Sequence, residues 1–75
     1  MSLNLFFKNN IDLFDDETNY ENISQKERYL IFEKLEKAIY DLEEIKKRFI
    51  GINFNDFSIV LENKKKVLEK IINDN

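Results

Sequence analysis

Cysteine, histidine, tryptophan and proline are absent from this 75-residue chain, and glycine and methionine occur once each. Each absence excludes something. Without cysteine there is no disulfide framework and no thiolate metal site, and without histidine there is no imidazole to act as base, ligand or pH switch near neutrality. A phosphate-cradling loop needs several glycines, so one glycine cannot build it. The lack of proline, set against many Lys, Glu, Leu and Ile, favours helix over sheet or disorder. No apolar run approaches the ~18 residues of a membrane span. The one lysine near the N-terminus, Lys8, follows the apolar patch instead of preceding it, so no signal peptide is evident. A cytoplasmic location without membrane association is the expectation.

What the chain does contain is best specified between Ser24 and Gly51. Ser24-Gln25-Lys26-Glu27 fits the capping box, in which a serine oxygen accepts an orphan N–H of the first turn and a glutamate three residues on reaches back. A helix over residues 25–50 is predicted. Ile31, Leu35, Ala38, Leu42, Ile45 and Phe49 follow at spacings of four, three, four, three and four, an apolar seam on one face. Phe32 and Ile39 widen that seam to suit a bundle. Lys46, Lys47 and Arg48 complement the negative end of the helix dipole, and Gly51 stands where a left-handed residue would end the helix. Glu33 with Lys37, Glu43 with Lys47 and Glu44 with Arg48 form i,i+4 pairs in the favourable order, each contributing ~0.2–0.5 kcal/mol. Tyr29, Leu30, Tyr40 and Ile50 lie off the seam, and the expectation is that the N-terminal segment folds over part of them.

That N-terminal segment, residues 1–14, carries three phenylalanines, Phe6, Phe7 and Phe14, beside Leu3, Leu5, Ile11 and Leu13. A helix over about residues 3–14 shares most of these on one face, with a short strand as the alternative because Asn9-Asn10 weakens the helix. Residues 15–24 form an acidic connector. Residues 1–25 hold one base and five acids, against seven and six in residues 26–50 and four each in residues 51–75, so the excess negative charge is local. Asp12, Asp15, Asp16, Glu17 and Glu21 do not make a calcium loop: counted from Asp15, the sixth position is Tyr20 and the twelfth Lys26, where glycine and glutamate are needed.

Gly51-Ile52-Asn53 is a short connection to a helix over residues 54–72, with Asn53 or Asn55 as its cap. Phe54, Phe57, Val60 and Leu61 make one apolar patch there and Val67, Leu68, Ile71 and Ile72 another, separated by Asn63-Lys64-Lys65-Lys66. Lys64 interrupts the line Phe57, Leu61, Leu68, Ile71, and its stem is expected to lie along the seam with the ammonium in water. The fold class is therefore all-α: an antiparallel helical hairpin with a shorter N-terminal helix packed across it, in one small domain.

Chemistry at a site needs a convergent pocket with a perturbed group. Ser24 is explained as a cap and Ser58 as a first-turn residue. Catalysis, cofactors, metals and small-molecule substrates are therefore not expected. A net charge of −3 and a pI near 4.9 argue against direct nucleic-acid binding through the Lys46–Arg48 or Lys64–Lys66 runs. The leading expectation is a non-enzymatic interaction module that self-associates or binds a protein partner through Phe6, Phe7, Phe14, Tyr29, Leu30 and Tyr40, because these exceed what a short hairpin can cover. The alternative is a small acidic inhibitor that presents Asp12, Asp15, Asp16, Glu17 and Glu21 to a basic nucleic-acid-binding surface of a target.

Overall fold

The structure, a computed structural model, describes residues 2–15 and 19–74, and of Asp15 the backbone only. Among these residues α1 spans Leu3–Asp15, α2 Gln25–Arg48 and α3 Asn55–Asn73, with one 3-10 turn at Tyr20–Asn22. Asp16 and Glu17, in the acidic connector, lie outside the described residues.

Each helix start has a local cause. Ser2 opens α1: its Oγ accepts from the Leu5 N–H at 3.1 Å and its carbonyl from the Phe6 N–H at 3.0 Å. Asn10 does not break that helix, because its Nδ2 donates back to the Phe6 carbonyl at 2.8 Å and the side chain is buried. The segment is a helix and not a strand. At α2 the expected cap is present, with Ser24 Oγ accepting from the Glu27 N–H at 3.1 Å. Before α3, Asn53 Oδ1 accepts from the Asn55 N–H at 2.9 Å, an Asx turn that leads into the helix through Phe54.

The stop of α2 differs from expectation. The helix ends at Arg48, and Phe49 leaves helical geometry at φ −118° and ψ 63° while still donating to the Ile45 carbonyl at 3.1 Å. Ile52 then donates to the Phe49 carbonyl at 3.1 Å. Phe49 ends the helix, and Ile50 and Gly51 are the central residues of the turn that the Ile52 N–H closes, in which Gly51 adopts no positive φ.

α2 and α3 are antiparallel and form the main contact. Gln25 reaches the Ile72 carbonyl near one end, while Lys65 approaches Glu36 at 3.8 Å and stands over the Phe32 ring at 5.6 Å. α1 lies against both, antiparallel to α2: Asp12 meets Lys34, and Asn9 and Asn10 share a depression with Lys37 and Asp41. A three-helix bundle results. Phe6 and Leu13 of α1, Leu35, Leu42 and Ile45 of α2, and Leu61 and Leu68 of α3 belong to one buried cluster, each side chain contributing ~1.5–3 kcal/mol by leaving water.

Lys64 does not simply reach for water. Its ammonium donates to the Leu13 carbonyl, one of the last four carbonyls of α1, which lack intrahelical partners and carry the negative end of the dipole. α1 has no base of its own in its last turn, so α3 supplies one. On the surface of α2, Lys37 meets Asp41 at 3.1 Å, Lys46 meets Glu43 at 3.1 Å and Lys47 meets Glu44 at 3.2 Å. Tyr29, Leu30, Tyr40 and Ile50 are not covered by the N-terminal segment. α1 occupies the groove between α2 and α3 instead, where its phenylalanines find more apolar surface.

Candidate functional site

The aromatic residues of α1 separate by role. Phe6 is fully buried, so its ring serves the core and is not available to a partner. Phe7 and Phe14 are half-buried and meet Phe57 of α3, with ring centroids 4.9 and 5.4 Å apart and each other at 5.8 Å. Edge and tilted arrangements of this kind add ~0.5–1.5 kcal/mol per pair beyond area burial. Ile11 stands between Phe7 and Phe14 along α1, and Val60 and Val67 flank the Phe57 side of α3; all three are exposed. The α1–α3 surface therefore continues an apolar ring cluster outward to solvent. Grouping the apolar residues of α3 into two patches along the chain did not separate its faces: Leu61, Leu68 and Ile72 are buried, with Phe54 just before the helix, while Val60 and Val67 stay exposed.

Tyr29, Leu30 and Tyr40 lie on another side of the molecule, away from the inward seam of α2, at 51%, 57% and 66% exposure. They do not join Phe7 and Phe14 in one patch. The eleven-residue separation of Tyr29 and Tyr40 is about three helical turns, so both rings project from one ridge roughly 16 Å apart.

Two of the acidic candidates, Asp12 and Glu21, have described side chains. Asp12 is 2.6 Å from Lys34, whose hydrogen bond holds its carboxyl below the ordinary carboxylate value. Glu21 is exposed, and its backbone is tied down: the N–H donates to Asn19 Oδ1 at 3.0 Å, and the carbonyl accepts from Arg28. The Asp15 side chain, like Asp16 and Glu17, lies outside the description.

The residue that sequence reasoning missed is Arg28, one of the two buried polar or charged side chains among the described residues. Its Nε donates to the Tyr20 carbonyl at 2.8 Å, one terminal nitrogen to the Glu21 carbonyl at 3.0 Å and the other to Gln25 Oε1 at 2.9 Å. Gln25 Nε2 in turn reaches the Ile72 carbonyl at 3.4 Å, an orphan acceptor at the end of α3. A signal existed: Arg28 is seven residues before Leu35 and fourteen before Leu42, on the apolar line itself. Glu21, Arg28, Ile71 and Asp74 line a depression of about 310 Å³ at this end, and Asn9, Asn10, Lys34, Lys37 and Asp41 line another of about 180 Å³. Arg28 faces the first with its guanidinium already committed to three acceptors. Among the described residues no three acidic side chains stand together as a metal site.

By architecture the protein is a small three-helix bundle in which a short helix lies along a longer antiparallel hairpin. No known protein family, curated protein or solved structure matches the chain.

Proposed function

We propose that this chain is a non-enzymatic protein–protein interaction module that works in the cytoplasm, self-associating or binding a protein partner through apolar helix surfaces. One observation carries the reading. Large apolar and aromatic side chains stay more than half exposed on a folded bundle: Tyr29, Leu30 and Tyr40 on α2, Ile11 on α1 and Val67 on α3. Tyrosine supplies rigid amphipathic area at low entropic cost, and apolar patches ringed by charge mark contact surfaces on small proteins. Two of the polar side chains have structural partners in this fold, Ser24 as a cap and Arg28 as a clamp, while the buried Ser58 hydroxyl has none among the described residues. No described helix is long and apolar enough to cross a membrane.

The test is site-specific photo-crosslinking in the cells that make the protein. A photoreactive phenylalanine analogue replaces Tyr40 in one variant, Val67 in a second and the exposed Lys66 as a control. A discrete adduct of defined mass at Tyr40 or Val67, with none at Lys66, is expected. No adduct at either apolar position overturns the reading.

A further inference from the structure

The outer surface of α2 carries a second seam. Lys26, Leu30, Glu33, Lys37, Tyr40 and Glu44 follow at spacings of four, three, four, three and four, the spacing of the inner seam, and all six are exposed. These positions span about 27 Å of helix. Such a row can face a second helix if the opposing residues match.

The order of residues in this row is self-complementary. An antiparallel copy of α2 centred at the height of Leu35 sets Lys26 opposite the partner's Glu44, Leu30 opposite the partner's Tyr40 and Glu33 opposite the partner's Lys37. The twofold axis repeats each pairing, so six layers form without a like-charge contact. Shifting the register by one heptad destroys this: one direction brings Lys26 onto Lys37 of the other copy, the other direction Glu33 onto Glu44. A parallel, in-register pairing sets every residue against itself. Among antiparallel registers within one heptad, this one alone brings no like charges together, and matching of this kind is how charged helix faces select a partner.

The flank of α3 offers a contrast. Asp56, Val60, Asn63, Val67, Lys70 and Asp74 show the same spacing, yet the corresponding antiparallel pairing sets Asp56 against Asp74. The self-matching order belongs to α2. In the isolated chain Lys37, itself 72% exposed, is held by the half-buried Asp41, and Glu44 by Lys47 at the surface; pairs open to solvent on at least one side are of low strength and exchange for partners across an interface.

We propose that the outer face of α2 is a self-docking surface for a second copy of this chain, bound antiparallel in that register. The inference rests on reading the chain as an interaction module and names the partner. With four of six positions charged, the association is weak and reversible, and the layers supply register more than affinity.

Sedimentation equilibrium of the purified full chain tests it, with wild type, Glu33→Lys, Lys37→Glu and the double variant Glu33→Lys/Lys37→Glu. A concentration-dependent dimer is expected for wild type. Each single reversal faces like charges across the twofold and raises the dissociation constant roughly tenfold or more. The double variant restores opposite charges and returns to within about threefold of wild type. Circular dichroism on each variant at low concentration separates loss of docking from loss of fold. Single variants that dimerise like wild type, or a double variant no better than the singles, overturn the proposal. A wild type that stays monomeric up to millimolar concentration also overturns it, and crosslinking of Val67 to a different protein would then leave the broader reading standing.

Discussion

The two ends of the bundle are closed by opposite means. Along α1, three helices meet and the interior is filled by side chains such as Phe6, Leu42, Ile45 and Leu61. α1 has 13 residues against 24 in α2, so its ~20 Å cannot accompany the ~36 Å of the longer helix. At the other end two helices continue without it, and backbone fills the gap: the turn Tyr20–Asn22, with the Tyr20 ring buried and Arg28 bonded to its carbonyls. Backbone placed against a core brings polar groups that need partners, and a guanidinium with five donors can satisfy several at once. One end depends on volume, the other on hydrogen bonds.

The largest test of that contrast is Phe6→Ala. Removing a fully buried ring leaves a cavity where three helices meet, and a loss of ~3–5 kcal/mol is expected in urea denaturation. A domain of this size has only about 4–11 kcal/mol in total. Phe6→Leu, which keeps most of the volume, gives a milder loss that stays measurable. A change below ~1 kcal/mol for the alanine variant would show that α1 is not part of the cooperative core.

Arg28→Met comes next. It keeps the apolar stem and removes the donors, leaving the Tyr20 and Glu21 carbonyls without their partner. A loss of ~1–3 kcal/mol is expected. Its location matters more than its size. Amide hydrogen exchange should rise at Tyr20–Asn22 and in the last turn of α3, where Gln25 depends on Arg28, and stay slow in α1. Equal acceleration in α1 would mean that the two ends are not separable. Arg28→Lys should recover little, because an ammonium cannot span two carbonyls and an amide as the planar fork does.

The two ends also differ in how far they were legible from sequence. The hairpin and α1 follow from apolar periodicity, and Ser24 announced α2 through a contact three residues away, which is local information. Arg28 obeyed the same periodicity but was passed over, since a charge in an apolar row reads as an exception until the acceptors are known. Those acceptors are backbone carbonyls of a turn seven or eight residues upstream, and sequence does not reveal where a turn will fold back. Lys64 is similar: its place in the seam was visible, but its partner, the Leu13 carbonyl, is 51 residues away. Gly51 misled in the other direction. Glycine favours left-handed ends without requiring them, and here Phe49 ends the helix first. For the exposed surface, periodicity located Tyr29, Leu30 and Tyr40 off the seam, whereas the exposure of Val60 and Val67 depended on which flank of α3 receives α1.

The smallest effect lies where the two regions join. Asp12, near the end of α1, is bound to Lys34 of α2 at 2.6 Å. That hydrogen bond lowers the Asp12 carboxyl below its ordinary value, with slight burial acting the other way. The folded state therefore takes up the proton less readily than the unfolded chain. The pair adds stability above the unfolded value near pH ~4, and that contribution disappears as pH falls through the lower folded value. With side chains 63% and 40% exposed, it is worth only ~0.2–1 kcal/mol and is weakened by salt. Asp12→Asn should lower stability at pH 7 by that amount and remove part of the decline between about pH 4 and pH 2. Urea titrations of both proteins across that range measure the difference directly. If the two curves run parallel down to pH 2, the pair holds nothing, and the junction between the volume-filled and hydrogen-bonded ends rests on Leu13 and its neighbours alone.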